Sequence, residues 1–190
     1  MKNKILKRSI FGLIFLLGIG LLFKGTYIQA KAILAQYLIE ESWQETLETK
    51  EPTSPWSWSD THPILKMSVP SLNKELFVLE GDSGSTLAFG PGHASKSFLP
   101  KDNGTVMISA HKDTHFRFLK DLKVGEKIVI QDENNDSYTY KMASAKVIDA
   151  DKNNIPIYNG IDELVLVTCY PFDVMRTGGN QRYVVRFREY

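Results

Sequence analysis

Lys127-Ile-Val-Ile-Gln131, Asp132-Glu-Asn-Asn-Asp136 and Ser137-Tyr-Thr-Tyr-Lys141 follow one another without interruption. Two β-forming runs flank a stretch of acidic and amide residues, which reads as a hairpin with a solvated turn. The same punctuation extends in both directions. From Ile64 onward, short runs rich in Val, Ile, Tyr and Thr predict strands over 65–69, 75–79, 87–89, 105–109, 127–131, 138–149, 163–168 and 182–188. One helical turn is expected at 116–122. About eight short strands with little helix make this part mainly β, a closed barrel or a sandwich.

The N-terminus obeys different rules. Ile10-Phe-Gly-Leu-Ile-Phe-Leu-Leu-Gly-Ile-Gly-Leu-Leu-Phe23 carries no charge, and Lys2, Lys4, Lys7 and Arg8 precede it. The run is short for a membrane span of about 20 residues, but Lys24 can snorkel and 25–28 can lengthen it. The basic flank predicts an N-terminus in the cytoplasm and a body outside it. Ala30-Lys-Ala32 fits a signal-peptide cleavage pattern. Ala30, Ile33, Leu34, Tyr37 and Leu38 nevertheless keep helical spacing straight through it, which favours an uncleaved anchor and stalk. The stalk stripe is expected to pack on its own domain. The segment 51–60, rich in Pro, Ser and Thr, reads as a linker whose Trp56 and Trp58 fold back over the domain edge. The expected organisation is a basic tip and anchor at 1–30, a juxtamembrane helix and linker at 31–62, and a β domain at 63–190.

Charge excludes one class of partner. Of 23 basic residues among the 190, six lie in residues 1–31, which hold no acid; that leaves 17 against 22 acidic ones. A body with an acidic excess is not built to hold nucleic acid.

Three strand-like runs end or begin with reactive residues. Leu164-Val-Leu-Val-Thr-Cys169 ends in the only cysteine of the chain, and Tyr170-Pro171 then stops the ladder. Gly104-Thr-Val-Met-Ile-Ser-Ala-His111 ends in a histidine, and Arg182 opens Arg182-Tyr-Val-Val-Arg-Phe187 after Gly178-Gly179-Asn180. A thiol, an imidazole and a guanidinium at strand ends can act as nucleophile, general acid/base and oxyanion donor. The blander readings are a buried thiol, a surface histidine and an edge cation. Arg186 and Arg188 suit that last reading better than Arg182 does. His115 rivals His111, and His93, in the Gly90-Pro-Gly-His93 turn, either lines the site or caps its loop. No CxxC pair, His-Glu-x-x-His site or glycine-rich phosphate loop is present, so no metal and no cofactor are expected.

Ile108-Ser-Ala-His111-Lys-Asp-Thr114, Phe116-Arg-Phe-Leu-Lys-Asp-Leu122, Leu166-Val-Thr-Cys169 and the downstream Arg182 together resemble the sortases, membrane-anchored cysteine transpeptidases. Gly90-Pro-Gly-His93 and Cys169-Tyr-Pro-Phe172 look most like the small sortases of marine Gram-negative bacteria. The resemblance covers 68–190 and implies a closed eight-stranded β-barrel behind an N-terminal anchor helix. It implies that Cys169 is the nucleophile, His111 the general acid/base and Arg182 the oxyanion or substrate-positioning residue. It also implies that Thr168 supports the oxyanion site and that His93 is a substrate contact. Residues 150–162 would form the substrate groove, with Ile155, Ile157 and Tyr158 gripping the apolar part of a signal. That connection lacks the acidic cluster of a calcium-regulated loop.

The implied reaction is cleavage of a C-terminal LPxTG-like sorting signal through a thioester, then transfer of the protein to an amine acceptor, peptidoglycan-like or other. The implied partners are thus a secreted protein bearing that signal, the amine and the membrane. Two alternatives remain: a thiol hydrolase without transfer, and a tethered β-barrel binding module with an inert Cys169.

Overall fold

The computed structural model describes residues 2–174 and 179–190, with side chains from residue 10 onward. Gly178, in the lead-in to Arg182, lies outside the described residues. The chain divides into two compact units, Met1–Tyr37 and Leu38–Tyr190.

One helix, α1 (Lys2–Thr49), runs from the first unit into the second. No proline interrupts it, and it stops where Lys50 turns left-handed at φ 61° and donates its N–H to Thr46 O at 2.9 Å, just before Pro52. In the first unit the apolar side chains from Ile10 to Phe23 are mostly exposed, Phe11 by 72% and Phe23 by 73%. By length and composition the helix from Ile10 to Thr49 is able to cross a membrane, with mean hydropathy 1.9 over its most apolar window. In the second unit, the last turns of α1 bury Ile39, Ser42, Trp43 and Thr46, spaced as one helical face. This is not the expected stripe. Ile33, Leu34 and Tyr37 are exposed whereas Ala35 is buried, and Trp43 reaches Phe77 at a ring distance of 6.5 Å.

Eight strands follow: β1 (Pro63–Val69), β2 (Lys74–Glu80), β3 (Gly92–His93), β4 (Thr105–Ser109), β5 (Lys127–Gln131), β6 (Ser137–Asp149), β7 (Glu163–Cys169) and β8 (Gln181–Glu189). They close into a barrel in the order β1-β2-β3-β4-β7-β8-β6-β5, which leaves no unpaired sheet edge. Closure decides against a sandwich. The 127–141 stretch forms the expected hairpin, with Gln131 opposite Ser137. Its acidic turn is structural: the Asp132 carboxylate accepts N–H bonds from Asn134 and Asp136 at 2.9 and 3.0 Å.

One expected strand is misplaced. Residues 87–89 do not form a strand, because Ser83 caps a short helix, α2 (Gly84–Leu87), by accepting the Thr86 N–H at 3.2 Å. The strand of this region is β3, which has no apolar run to announce it. Gly92 is required there, since a Cβ would lie 2.3 Å from Gly81 O. Of the linker tryptophans, only Trp56 folds back, meeting Phe89 edge-on at 5.0 Å; Trp58 stays 83% exposed.

Alternation sorts the side chains. Leu65, Met67 and Val69 on β1, Val106 and Ile108 on β4, Leu164 and Leu166 on β7, and Val185 and Phe187 on β8 fill the barrel interior. The expected helical turn is a 3-10 helix at Arg117–Lys120, and Phe116 and Leu119 are wholly buried in the same core. Burial of each contributes roughly 1.5–3 kcal/mol, which anchors the chain just past His111.

Candidate active site

The same alternation puts Val165, Val167 and Cys169 of β7 on the outer face of the barrel, with Arg182, Val184 and Arg186 of β8 and Met107 and Ser109 of β4. β4 and β7 are parallel, with Ser109 paired to Val167. The Ala110 N–H bonds Val167 O at 3.2 Å, which carries the register past the end of β4. β4 ends at Ser109, so His111 lies two residues past the last paired position, as Cys169 lies two residues past Val167 at the end of β7. On the other side, Cys169 pairs directly with Arg182. Neighbouring strands lie about 4.8 Å apart, so the half-buried thiol has Arg182 on one side, and on the other the segment that leaves β4 and carries His111.

Arg182 donates through Nη1 to Gly179 O at 2.7 Å and Gln181 O at 3.0 Å. These bonds fix the guanidinium at the strand start. An arginine carries three further donors beyond its Nη1 pair, enough to meet an oxygen that gains charge beside Cys169.

His115 lies one turn beyond His111. Burial holds its imidazole below the ordinary value of 6.5, and the positive charges of Lys74 and His111 add to the effect. It is thus less readily protonated than a free imidazole.

Thr168 does not share the outer face. It is buried in the wall, and its Oγ1 donates to Ala110 O at 2.6 Å. The bond joins the residue before Cys169 to the residue before His111. His93 is also buried. Its Nε2 lies 3.0 Å from Ser97 Oγ and 3.1 Å from Phe98 O, and its Nδ1 is 3.6 Å from the Glu80 carboxylate. Those contacts tie down the loop after β3 and do not bring the ring to Cys169.

Val165, Val167 and Val184 face outward and are still buried, because the 150–162 connection covers them through Ile155, with Met107 and Ile148 alongside. Ile155 and Pro156 also wall a cleft of about 220 Å³ against Lys146, Ile148, Val184 and Arg186. Ile157 is half-buried on the same connection. Tyr158 sits at its far end, where its backbone N–H and C=O bond Thr105 Oγ1 and N, both at 2.9 Å. Thr105 is six residues before His111, so the anchor of Tyr158 is roughly 20 Å from the thiol at about 3.3 Å per residue.

Under that anchor is a group the sequence reading missed. Glu163 is fully buried, accepts from Thr105 Oγ1 at 2.9 Å and pairs with Arg186 at 2.5 Å. Arg186 also lies 5.9 Å from the Tyr158 ring. Arg186 is therefore not a free edge cation; it holds the base of the groove loop. Among the described residues, no group of three or more His, Cys, Asp or Glu side chains is arranged to hold a metal.

The family model described as Sortase domain matches residues 67–189. Sortase D of Bacillus subtilis is 33% identical over 122 residues, 63% of this chain and 60% of that protein. The chain thus spans about three fifths of the length of the relatives it matches by sequence. The fold resembles sortase A from Corynebacterium diphtheriae, with a TM-score of 0.61 and 20% identity over 82% of this chain and 84% of that one. It also resembles sortase C from Clostridium perfringens, solved with the C-terminal cell wall sorting motif. There the TM-score is 0.59 and the identity 22%, over 85% of this chain and 90% of that one. These matches carry the family and not the finer placement among its branches.

Proposed function

The chain belongs to the sortase family, and from that premise we propose that it is a cysteine transpeptidase acting on a C-terminal LPxTG-like sorting signal. The observation that supports the reading is the register that pairs Cys169 with Arg182 and brings the end of β4, two residues before His111, beside β7. The Cys169 thiolate attacks the scissile carbonyl carbon, and the carbonyl oxygen takes the negative charge. Arg182 donates to that oxygen. Protonated His111 gives its proton to the leaving amine, the C–N bond breaks, and a thioester remains on Cys169. An incoming amine then loses a proton to His111 and displaces the thiol.

Distances favour one part of the covering connection as the grip. From Thr to Leu, an extended signal spans about 10 Å. Val167 and Val165 lie two and four residues from Cys169, roughly 7 and 13 Å away. Ile155, packed against the cluster these two form with Val184, is within reach of the Leu-Pro part, with Ile157 two residues on. Tyr158 lies beyond reach and serves as an anchor. The apolar N-terminal helix tethers the enzyme, and its basic flank sets that end in the cytoplasm and the catalytic unit outside.

The test incubates the purified full chain with an LPxTG-like peptide, with and without an added amine, and identifies products by mass spectrometry. A new amide joining the Thr carbonyl to the amine is expected. Cleavage that yields only free acid at every amine concentration would refute transfer and leave a hydrolase.

A further inference from the structure

We propose that Lys112 is a positioning residue: it fixes His111 against Cys169 by clamping the segment that follows one to the segment that follows the other. The inference rests on the reading of His111 and Cys169 as a reacting pair. Lys112 adjoins His111 in sequence and is only 8% exposed. Its Nζ donates to Pro171 O at 2.9 Å and to Val174 O at 2.7 Å. Among the described residues Asp113, at 3.7 Å, is its one carboxylate within 4.0 Å, and the Asp173 carboxylate beyond it also feels its charge.

A buried ammonium is costly unless its donors are satisfied. Here the partners are main-chain carbonyls two and five residues past the thiol. A lysine kept merely for charge would reach solvent; here the two short contacts are to carbonyls, and the exposed Asp113 is a longer, weaker partner at 3.7 Å. Lys112 thus spends two donors on the backbone of the β7–β8 connection.

The surrounding contacts show what the clamp joins. On the His111 side, Phe116 and Leu119 are locked in the core, and the Phe116 N–H bonds His111 O at 3.1 Å. On the Cys169 side, Phe172 packs against the same core, and Asp173 holds Lys120 at 2.7 Å and Arg117 at 3.5 Å. The Asp173 links are exposed and contribute little. Lys112 is the buried member of the set and the one next to the imidazole. A shift of about 1 Å between reacting groups is enough to cost on the order of 100-fold in rate.

Cys169 is the only cysteine, so its alkylation reports on the pair without any sorting signal. Iodoacetamide rates from about pH 5 to 9 bracket the range where an imidazole titrates. They are measured on the full chain and on the variants Lys112→Met, Lys112→Gln, Lys112→Arg and His111→Ala. The parent profile should differ from that of His111→Ala. Lys112→Met should move toward His111→Ala, and Lys112→Arg, which keeps donors for both carbonyls, should return toward the parent. Lys112→Gln, too short to span both carbonyls, gives the same reading if the Met variant is unstable. Peptide acylation should fall tenfold or more in Lys112→Met with KM unchanged.

A parental alkylation profile in both neutral variants, with only a lower melting temperature, would overturn the inference, as would coincident profiles for the parent and His111→Ala. Failure of the proposed function looks different: the alkylation profiles keep their order, but the parent forms no thioester with any sorting-signal peptide.

Discussion

Replacing Thr168 with valine separates a structural role from a substrate role. Valine has the same shape, so Thr168→Val opens no cavity. It removes the bond from Oγ1 to Ala110 O, which is 2.6 Å long and buried. A neutral bond of this kind is worth about 0.5–1.5 kcal/mol net, and a carbonyl left without its partner raises the cost toward about 1–3 kcal/mol. Exchanging the hydroxyl for a methyl returns up to about 0.8 kcal/mol of apolar burial. The net loss should be about 1–2 kcal/mol, or roughly 3–6 °C of melting temperature for a domain of about 150 residues. The bond joins the residues just before His111 and Cys169, so acylation should also slow while KM for a sorting peptide holds. Thermal melts and single-turnover acylation of the parent, Thr168→Val and Thr168→Ser measure both; the serine variant, which keeps the hydroxyl, should stay near the parent. A raised KM with unchanged melting would refute this reasoning and return Thr168 to the substrate.

Arg182→Lys keeps the charge and loses the planar fork. Acylation should fall about 10- to 100-fold with melting unchanged, and a parental rate would remove Arg182 from the oxyanion. Glu163→Ala leaves Arg186 without its buried partner. Because Arg186 still reaches solvent, the cost should be about 2–3 kcal/mol, below the 3–5 kcal/mol typical of a wholly buried pair. A urea midpoint that does not move would contradict the network drawn under Tyr158. His115 binds its proton less readily folded than unfolded, so the unfolded chain gains protons first as pH falls. Its contribution to stability is complete above its ordinary value of 6.5 and is lost as pH drops below that. The melting temperature of His115→Gln should therefore fall less than that of the parent between pH 7.5 and 5.5; equal slopes would refute the sign.

What the sequence made legible follows from how local each signal is. The long strands announce themselves through alternation, and the hairpin at 127–141 through its turn chemistry. β3 has two residues and one required glycine, so nothing in it resembles a strand until Gly81 is seen beside it. The placement of Cys169 and Arg182 at strand ends was readable, but the adjacency of β7 to the strand that leads to His111 was not. It depends on β4 and β7 pairing in parallel across 58 residues of chain, as at Thr105 and Glu163. The inward turn of Thr168 was available in principle, since alternation puts it on the face opposite Cys169. The burial of Glu163 was not, because its partners come from two other strands. The face of α1 that packs was misjudged because Ile33, Leu34 and Tyr37 are as apolar as Ile39 and Trp43, and periodicity does not say which turn meets the barrel.

The central claim is that Cys169 carries the acyl group. Intact-mass analysis of the full chain, incubated with a sorting-signal peptide and no amine, tests it most directly. The account predicts an adduct with the mass of the acyl fragment, released by hydroxylamine and absent from Cys169→Ala. An adduct that persists in Cys169→Ala, or one that hydroxylamine does not release, would contradict it.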